Sequence, residues 1–108
     1  MTAKEITAGL LCAIPKHFPA RVWRRNVGAA VAGDRFIRFS LPGEADITGI
    51  IEPGIRLEIE VKAGKDRLTP EQVSFLAMVE KHGGIALVAH DVDTAIAELR
   101  KIWEARRS

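Results

Sequence analysis

Apolar residues recur along this chain with two periods, and the switches between them mark its elements. From Thr2 to about Phe18, Ile6, Leu10, Ala13 and Ile14 fall at helical spacing, and Leu11 and Cys12 widen the stripe. This predicts a first helix, with Cys12 as a small buried hydrophobe and with Pro15 and Pro19 limiting its length. Arg21 to Val27 reads as a short strand with Val22 and Trp23 partly buried, Gly28 to Gly33 as a loop or hairpin turn, and Arg35 to Ser40 as a strand. Leu41-Pro42-Gly43 is a turn. Asp46 to Ile51 and Ile55 to Lys62 then predict a hairpin closing at Glu52-Pro53-Gly54. In its second strand the alternation is strict: Leu57, Ile59 and Val61 take one face, and Glu58, Glu60 and Lys62 the other.

The remainder is helix, strand, helix. Thr69 is an N-cap, Pro70 occupies the first helical position and Gln72 completes a capping box. Val73, Leu76, Ala77 and Glu80 trace one face of this helix, and Phe75, Met78 and Val79 broaden its apolar side. Gly83-Gly84 ends it. Ile85 to Ala89 is a continuous apolar run, the pattern of a buried strand. Asp91 caps a last helix on which Val92, Ile96, Leu99 and Trp103 repeat. The order is α-β-β-β-β-α-β-α, an α/β fold. A helical crossover joins the Glu60 and Ile85 strands, which predicts that they run parallel.

Composition narrows the class. A chain of 108 residues suits one domain, residues 1–108, with one modest core. A formal charge of +2 permits nucleic acid as partner without requiring it. Cys12 is the only cysteine, which excludes an intrachain disulfide and a Cys-rich zinc site. No apolar run approaches the length of a signal peptide or membrane span, so the expectation is a cytoplasmic protein without a membrane partner.

The chemistry gathers between Pro42 and Lys62. The polar face of the second hairpin strand sets two carboxylates and an ammonium in a row, about 7 Å between alternate positions. The hairpin brings Asp46 beside Glu60 and Lys62. Two acidic groups on adjacent strands can hold a hard divalent cation through oxygen. A lysine one pleat away can orient a water or stabilise a phosphoryl transition state. A solvent-facing strand with a Glu–Lys ladder produces the same spacing. Other residues carry two readings as well. Thr2-x-x-Glu5 and Thr69-x-x-Gln72 are capping boxes, and Glu5 and Gln72 are also site candidates. Arginine in the first strand can grip a phosphate or blunt a sheet edge. Gly43 would let the backbone pass close to DNA or metal, and Glu44 is a further site candidate. The basic end of the last helix, with Arg100, Lys101, Arg106 and Arg107, complements the helix dipole or contacts DNA.

In order and spacing, Gly43-x-x-Asp46, Glu60-Val61-Lys62 and Gly64-x-x-x-Leu68-Thr69-x-x-Gln72-x-x-Phe75 resemble the VRR-NUC (virus-type replication-repair nuclease) branch of the PD-(D/E)XK nucleases. The resemblance runs on through Gly83-Gly84 and Val88-Ala89-His90 and covers roughly Glu5 to Leu99. Arg24-x-Asn26-x-Gly28 resembles a further signature of that family. One departure is Ala45, which separates Asp46 from any "PD" proline; that branch commonly shows G-x-x-D there. The resemblance implies a restriction-endonuclease-like αβββαβ core, with a mixed central sheet flanked by helices. It implies a metal-dependent DNA endonuclease in which Asp46, Glu60 and the backbone carbonyl of Val61 bind Mg²⁺ or Mn²⁺. Lys62 would position or activate the attacking water, Gln72 would support it and Glu5 would add a carboxylate. Arg24, Asn26, Lys65 and Arg67 are the candidate DNA contacts. Stand-alone members resemble junction resolvases, which implies a homodimer acting on branched or four-way-junction (Holliday-type) DNA in replication, repair or recombination. The rival reading is a catalytically inactive nuclease-fold module for DNA binding or assembly; the intact Asp46, Glu60 and Lys62 argue against it.

Overall fold

The computed structural model describes residues 1–25, 29–32, 35–38 and 41–107, with backbone alone at 29–32 and 35–38. Helix α1, Ala3–His17, begins at the predicted cap. The Thr2 side chain accepts the Glu5 N–H, and the Glu5 carboxylate accepts the Thr2 N–H. Ile6, Leu10 and Ile14 are its buried stripe. Cys12 is exposed, contrary to its expected burial. It lies two residues from both Leu10 and Ile14, roughly 200° around the helix from each, and so falls opposite the stripe.

Four strands form the main sheet: β1 (Ala20–Arg24), β4 (Ile47–Ile51), β5 (Ile55–Val61) and β6 (Ile85–Ala89), in spatial order β1-β4-β5-β6. β1 and β5 run antiparallel to β4, and β6 runs parallel to β5 as the crossover helix requires. A separate two-stranded sheet pairs β2 (Ala29–Ala32) with β3 (Arg35–Arg38). Residues 29–32 of the segment expected as a loop or turn from Gly28 to Gly33 are thus strand, and the two glycines lie outside the described residues. Three of its four residues are alanine, which carries little β propensity, and pairing with β3 supplies what local sequence does not.

Helices cover both faces. On one side, Ile47, Leu57, Ile59, Val61, Ile85 and Leu87 pack against Ile6, Leu10 and Ile14 of α1 and against Leu99 and Trp103 of α3 (Val92–Arg107). On the other, α2 (Pro70–Lys81) lays Phe75, Leu76 and Val79 over Ala86 and Val88 of β6, with Ala45 beside them. This second cluster is small and uses a narrow helix face. Val73 and Met78, expected on the apolar side of α2, are exposed. β5 is consequently buried on both faces from Leu57 to Val61. The solvent-facing Glu–Lys ladder is therefore not what this strand builds: Glu58 and Glu60 lie inside.

The basic end of α3 staples neighbouring elements. Arg106 donates to the carbonyls of Gly83 and Gly84 at 2.9 and 2.8 Å. Arg100 donates to the His17 carbonyl at 2.8 Å and lies over the Phe18 ring. Arg107 lies over Trp103. Arg100, Arg106 and Arg107 thus serve the fold.

Candidate active site

The β4–β5 register, with Ile47 opposite Ile59, sets Asp46 across from Glu60. Two further bonds hold Asp46 at the mouth of β4. Its Oδ2 accepts the Val61 N–H at 2.8 Å, and its carbonyl accepts the Arg25 N–H at 2.9 Å. The approach to Asp46 rests on Gly43, which has φ of +79°. A Cβ there would stand 2.3 Å from the carbonyl of Glu71 and 2.7 Å from the Gln72 nitrogen. The close approach this glycine permits is to the first turn of α2, which locks the Asp46 loop against the helix bearing Gln72.

Glu60 is 3% exposed, and among the described residues its Oε2 is a buried oxygen with no hydrogen-bond partner. Burial first, then the hydrogen bond and charge of Asp46, push its carboxyl up to about 8; Lys62 and the Val61 N–H pull the other way. A buried acceptor left unsatisfied is costly, and it is an oxygen in need of a cation or a donor.

Asp46, Glu60, Val61, Lys62, Gln72 and Arg24 all line one cleft of about 450 Å³. It is closed on one side by Ala3, Lys4 and Thr7 of α1. Gln72 caps its helix, its side chain accepting the Thr69 N–H at 2.9 Å, and from there it also lines the cleft. The Lys62 N–H donates to the Ala89 carbonyl at 2.9 Å, and its own carbonyl meets His90 Nδ1 at 3.0 Å, fixing the strand end that carries the lysine. Glu5 is placed otherwise. It closes the α1 capping box at 2.9 and 3.2 Å, its carboxyl held below the usual range by those bonds to Thr2, and it does not line the cleft. Lys65 and Arg67 are exposed in the loop after β5, outside the cleft lining. Asn26 and Gly28 lie outside the described residues.

Two further residues of the site, Arg25 and Lys4, stand outside the motifs that the sequence displays. Arg25 donates to the Ala45 carbonyl at 3.1 Å, pairs with Glu44 at 2.9 Å and with Glu58 Oε1 at 2.9 Å. Glu58 is fully buried, and its Oε2 takes the Thr48 hydroxyl and Arg56 Nε. The guanidinium thereby clamps the residues before Asp46 to the strand that carries Glu60. The alternation that put Glu58 and Glu60 on one face was the available signal, since a buried carboxylate there needs a cation. Lys4 shares a helical face with Thr7, one turn from the cap.

Among the described residues no three His, Cys, Asp or Glu side chains converge as a metal cluster. The donor set here is two carboxylates and the Val61 backbone. Mg²⁺ characteristically takes one or two carboxylates and fills its remaining positions with water and substrate phosphate. The set therefore fits such an ion, and the partnerless Oε2 of Glu60 is the atom that would welcome it.

A family model for the VRR-NUC domain matches residues 6–93. No curated protein matches the chain. Among the described residues no helix is long and apolar enough to cross a membrane.

Proposed function

Because the chain belongs to the VRR-NUC domain family, a family of nuclease-type domains, we propose that it is a divalent-metal-dependent DNA endonuclease acting on branched DNA. The observation that carries the reading is Glu60 Oε2, buried and, among the described residues, partnerless beside Asp46, in a cleft shared with Lys62 and Gln72. Asp46, Glu60 and the Val61 carbonyl are the groups that would hold Mg²⁺ or Mn²⁺. When bound, the metal would supply a Lewis acid for the phosphoryl oxygens and a more acidic water.

The chain's own residues do the rest. Lys62 enters the cleft from the end of β5, where its ammonium can orient the attacking water and offset charge growing on the phosphate. Gln72 can hydrogen-bond the same water or a phosphate oxygen. Arg24 and Lys4 line the cleft as cations for flanking phosphates. Water gives up a proton and adds to phosphorus as the bond to the leaving deoxyribose oxygen breaks and that oxygen takes up a proton, leaving a phosphate end and a hydroxyl end. A two-fold dimer would pair two such sites for the two strands of a junction.

The test is to incubate pure protein with labelled linear, flap and four-way-junction DNA, with EDTA, Mg²⁺ or Mn²⁺. Cleavage of the branched substrates only with metal is expected. Cutting that persists in EDTA would remove the metal assignment, and DNA binding without cleavage under any metal would favour an inactive module. Sedimentation at micromolar concentration tests the dimer.

A further inference from the structure

Beside the cleft, one face of the sheet carries exposed side chains on β1 and β4. α2 packs over β5 and β6, and on that same face Trp23 of β1 is 53% exposed and Ile50 of β4 is 46% exposed. The register sets Arg21, Ile50 and Arg56 in a row across three strands, with Trp23 in the next row opposite Thr48. Arg21 is exposed, and the Arg56 side chain is 54% exposed with its Nε on Glu58. We propose that this face binds unpaired nucleotides flanking the scissile phosphate of a branched DNA, with a base stacked on Trp23. The inference rests on the nuclease reading and names the part of the substrate that the protein recognises.

Three arguments lead there. The first is continuity. Arg25, two residues beyond Trp23 on the same side of the strand, lines the cleft, and Asp46 lies one strand across and two residues along, about 8 Å away at sheet spacing. Nucleotides next to the scissile phosphate fall within that reach. The second is chemistry. An exposed indole flanked by guanidinium groups provides a stacking surface and phosphate partners together, the combination that single-stranded nucleic acid uses. Bases within a duplex are already stacked on one another and cannot offer a face to Trp23. The third is charge. Glu58 is fully buried and already paired, so among the described residues the exposed charges in the two rows around Trp23 are Arg21 and Arg56, which match a phosphate backbone, and the exposed carboxylate of Glu52 lies beyond Ile50, away from the cleft. A second copy docked face to face would set those arginines against their own kind.

The protein carries its own probe. Trp23 and Trp103 are its two tryptophans, and Trp103 is buried in the main core. In EDTA, where cleavage is off, tryptophan emission is followed as single-stranded oligonucleotide, flap DNA or blunt duplex is added, with affinities from a labelled-DNA assay. Single strand and flap should quench the emission and blunt duplex should not. Trp23→Phe should abolish the quench while keeping affinity for the flap within a few-fold. Trp23→Ala should weaken flap binding roughly tenfold, the loss of one stacked base, and leave duplex binding unchanged. Equal quenching by blunt duplex overturns the proposal, as does a Trp23→Ala protein that binds the flap like wild type. A Trp23→Ala protein that becomes monomeric with unaltered DNA binding overturns it too, and assigns the face to a second copy. A wild type that cuts DNA with Mn²⁺ but shows none of these effects refutes this inference alone. A wild type that neither binds nor cuts any DNA removes the nuclease reading with it.

Discussion

Asp46 accepts the Val61 N–H on Oδ2 at 2.8 Å while facing Glu60 across the β4–β5 pair. One carboxylate thus serves the fold and crowds a second carboxylate. The two roles separate by substitution. Asp46→Asn keeps an acceptor for Val61 and removes the charge, so in EDTA it should melt at or above the wild-type temperature while cutting no DNA. Asp46→Ala abandons the Val61 N–H and should lose about 1 kcal/mol. Mn²⁺ at a hundredfold excess over Kd should stabilise wild type by about 2.7 kcal/mol and either variant much less. Melting curves of the three proteins, with EDTA and with Mn²⁺, check this. An Asp46→Asn protein that melts well below wild type in EDTA would make Asp46 a structural residue first.

The Glu60 carboxyl sets a pH dependence. Its pKa rises from an ordinary 4.5 in the unfolded chain to about 8 in the fold, chiefly through burial and then through Asp46. Between those values the folded state holds a proton that the unfolded state releases. Stability from this group is therefore complete below about pH 4.5 and is lost as pH climbs toward 8. In EDTA, denaturation midpoints should fall across that range, and Glu60→Gln should flatten the fall. Mn²⁺ binding at pH 7 should expel a proton, readable by calorimetry in buffers of different ionisation heat. A Glu60→Gln profile parallel to wild type would assign the slope to other groups.

How much of this could be read from the sequence depends on where the determinants lie. The caps at Thr2, Thr69 and Asp91 form as their local spacing predicts, because capping needs only residues within one helical turn. The Asp46–Glu60 pairing was legible because Pro53-Gly54 leaves the hairpin few registers. Burial of Glu58 and Glu60 was not. Alternation identifies their common face but not what covers it, and that depends on α2 and Arg25, distant in the chain. Cys12 and Val73 failed for the complementary reason: an apolar residue beside a stripe is buried only if a partner element reaches it. β2 was hidden because a run of small residues has no pattern until β3 lies beside it.

Lys62 should act in the transition state more than in binding. Its backbone is fixed by Ala89 and His90, so Lys62→Met ought to fold and bind DNA near wild-type affinity. Its single-turnover cleavage should fall by at least a hundredfold, with KM little changed. A cut rate within a few-fold of wild type would reduce Lys62 to a strand-end residue.

Gly43 and Gly64 form a controlled pair. Both have positive φ, but a Cβ at Gly64 meets nothing within 4 Å, whereas one at Gly43 collides with the backbone of Glu71 and Gln72. Gly64→Ala should therefore cost only the left-handed penalty, roughly 1–2 kcal/mol. Gly43→Ala should cost more and displace the Asp46 loop from α2, so that cleavage falls beyond what the lost stability explains. Urea midpoints and single-turnover rates for the two variants settle it. Equal behaviour would mean that the loop shifts freely and that its contact with α2 does not position Asp46.

The clamp on the Asp46 loop yields the last prediction. Glu58 is fully buried and Arg25 is largely so. Removing one partner of such a pair strands a buried charge, which typically costs 3–5 kcal/mol. Arg56 remains on Glu58 Oε2 from an exposed position, where pairing is weak, so Arg25→Met should fall near the low end, about 3 kcal/mol. Glu58→Gln should cost less, since an amide needs no counter-charge, and the double variant should recover part of the sum, with a coupling of about 1 kcal/mol or more. Arg25 also holds the Ala45 carbonyl at 3.1 Å, one residue before Asp46. Arg25→Met should thus slow cleavage even where the protein remains fully folded, and Arg25→Lys should restore the stability better than the rate, because an ammonium cannot span Ala45, Glu44 and Glu58 with a fixed fork. Urea denaturation of the cycle and single-turnover kinetics at low temperature provide both readouts. Strictly additive single losses, or an Arg25→Met protein that cuts at the wild-type rate, would show that Arg25 merely neutralises Glu58 and that Asp46 is held by the Val61 bond alone.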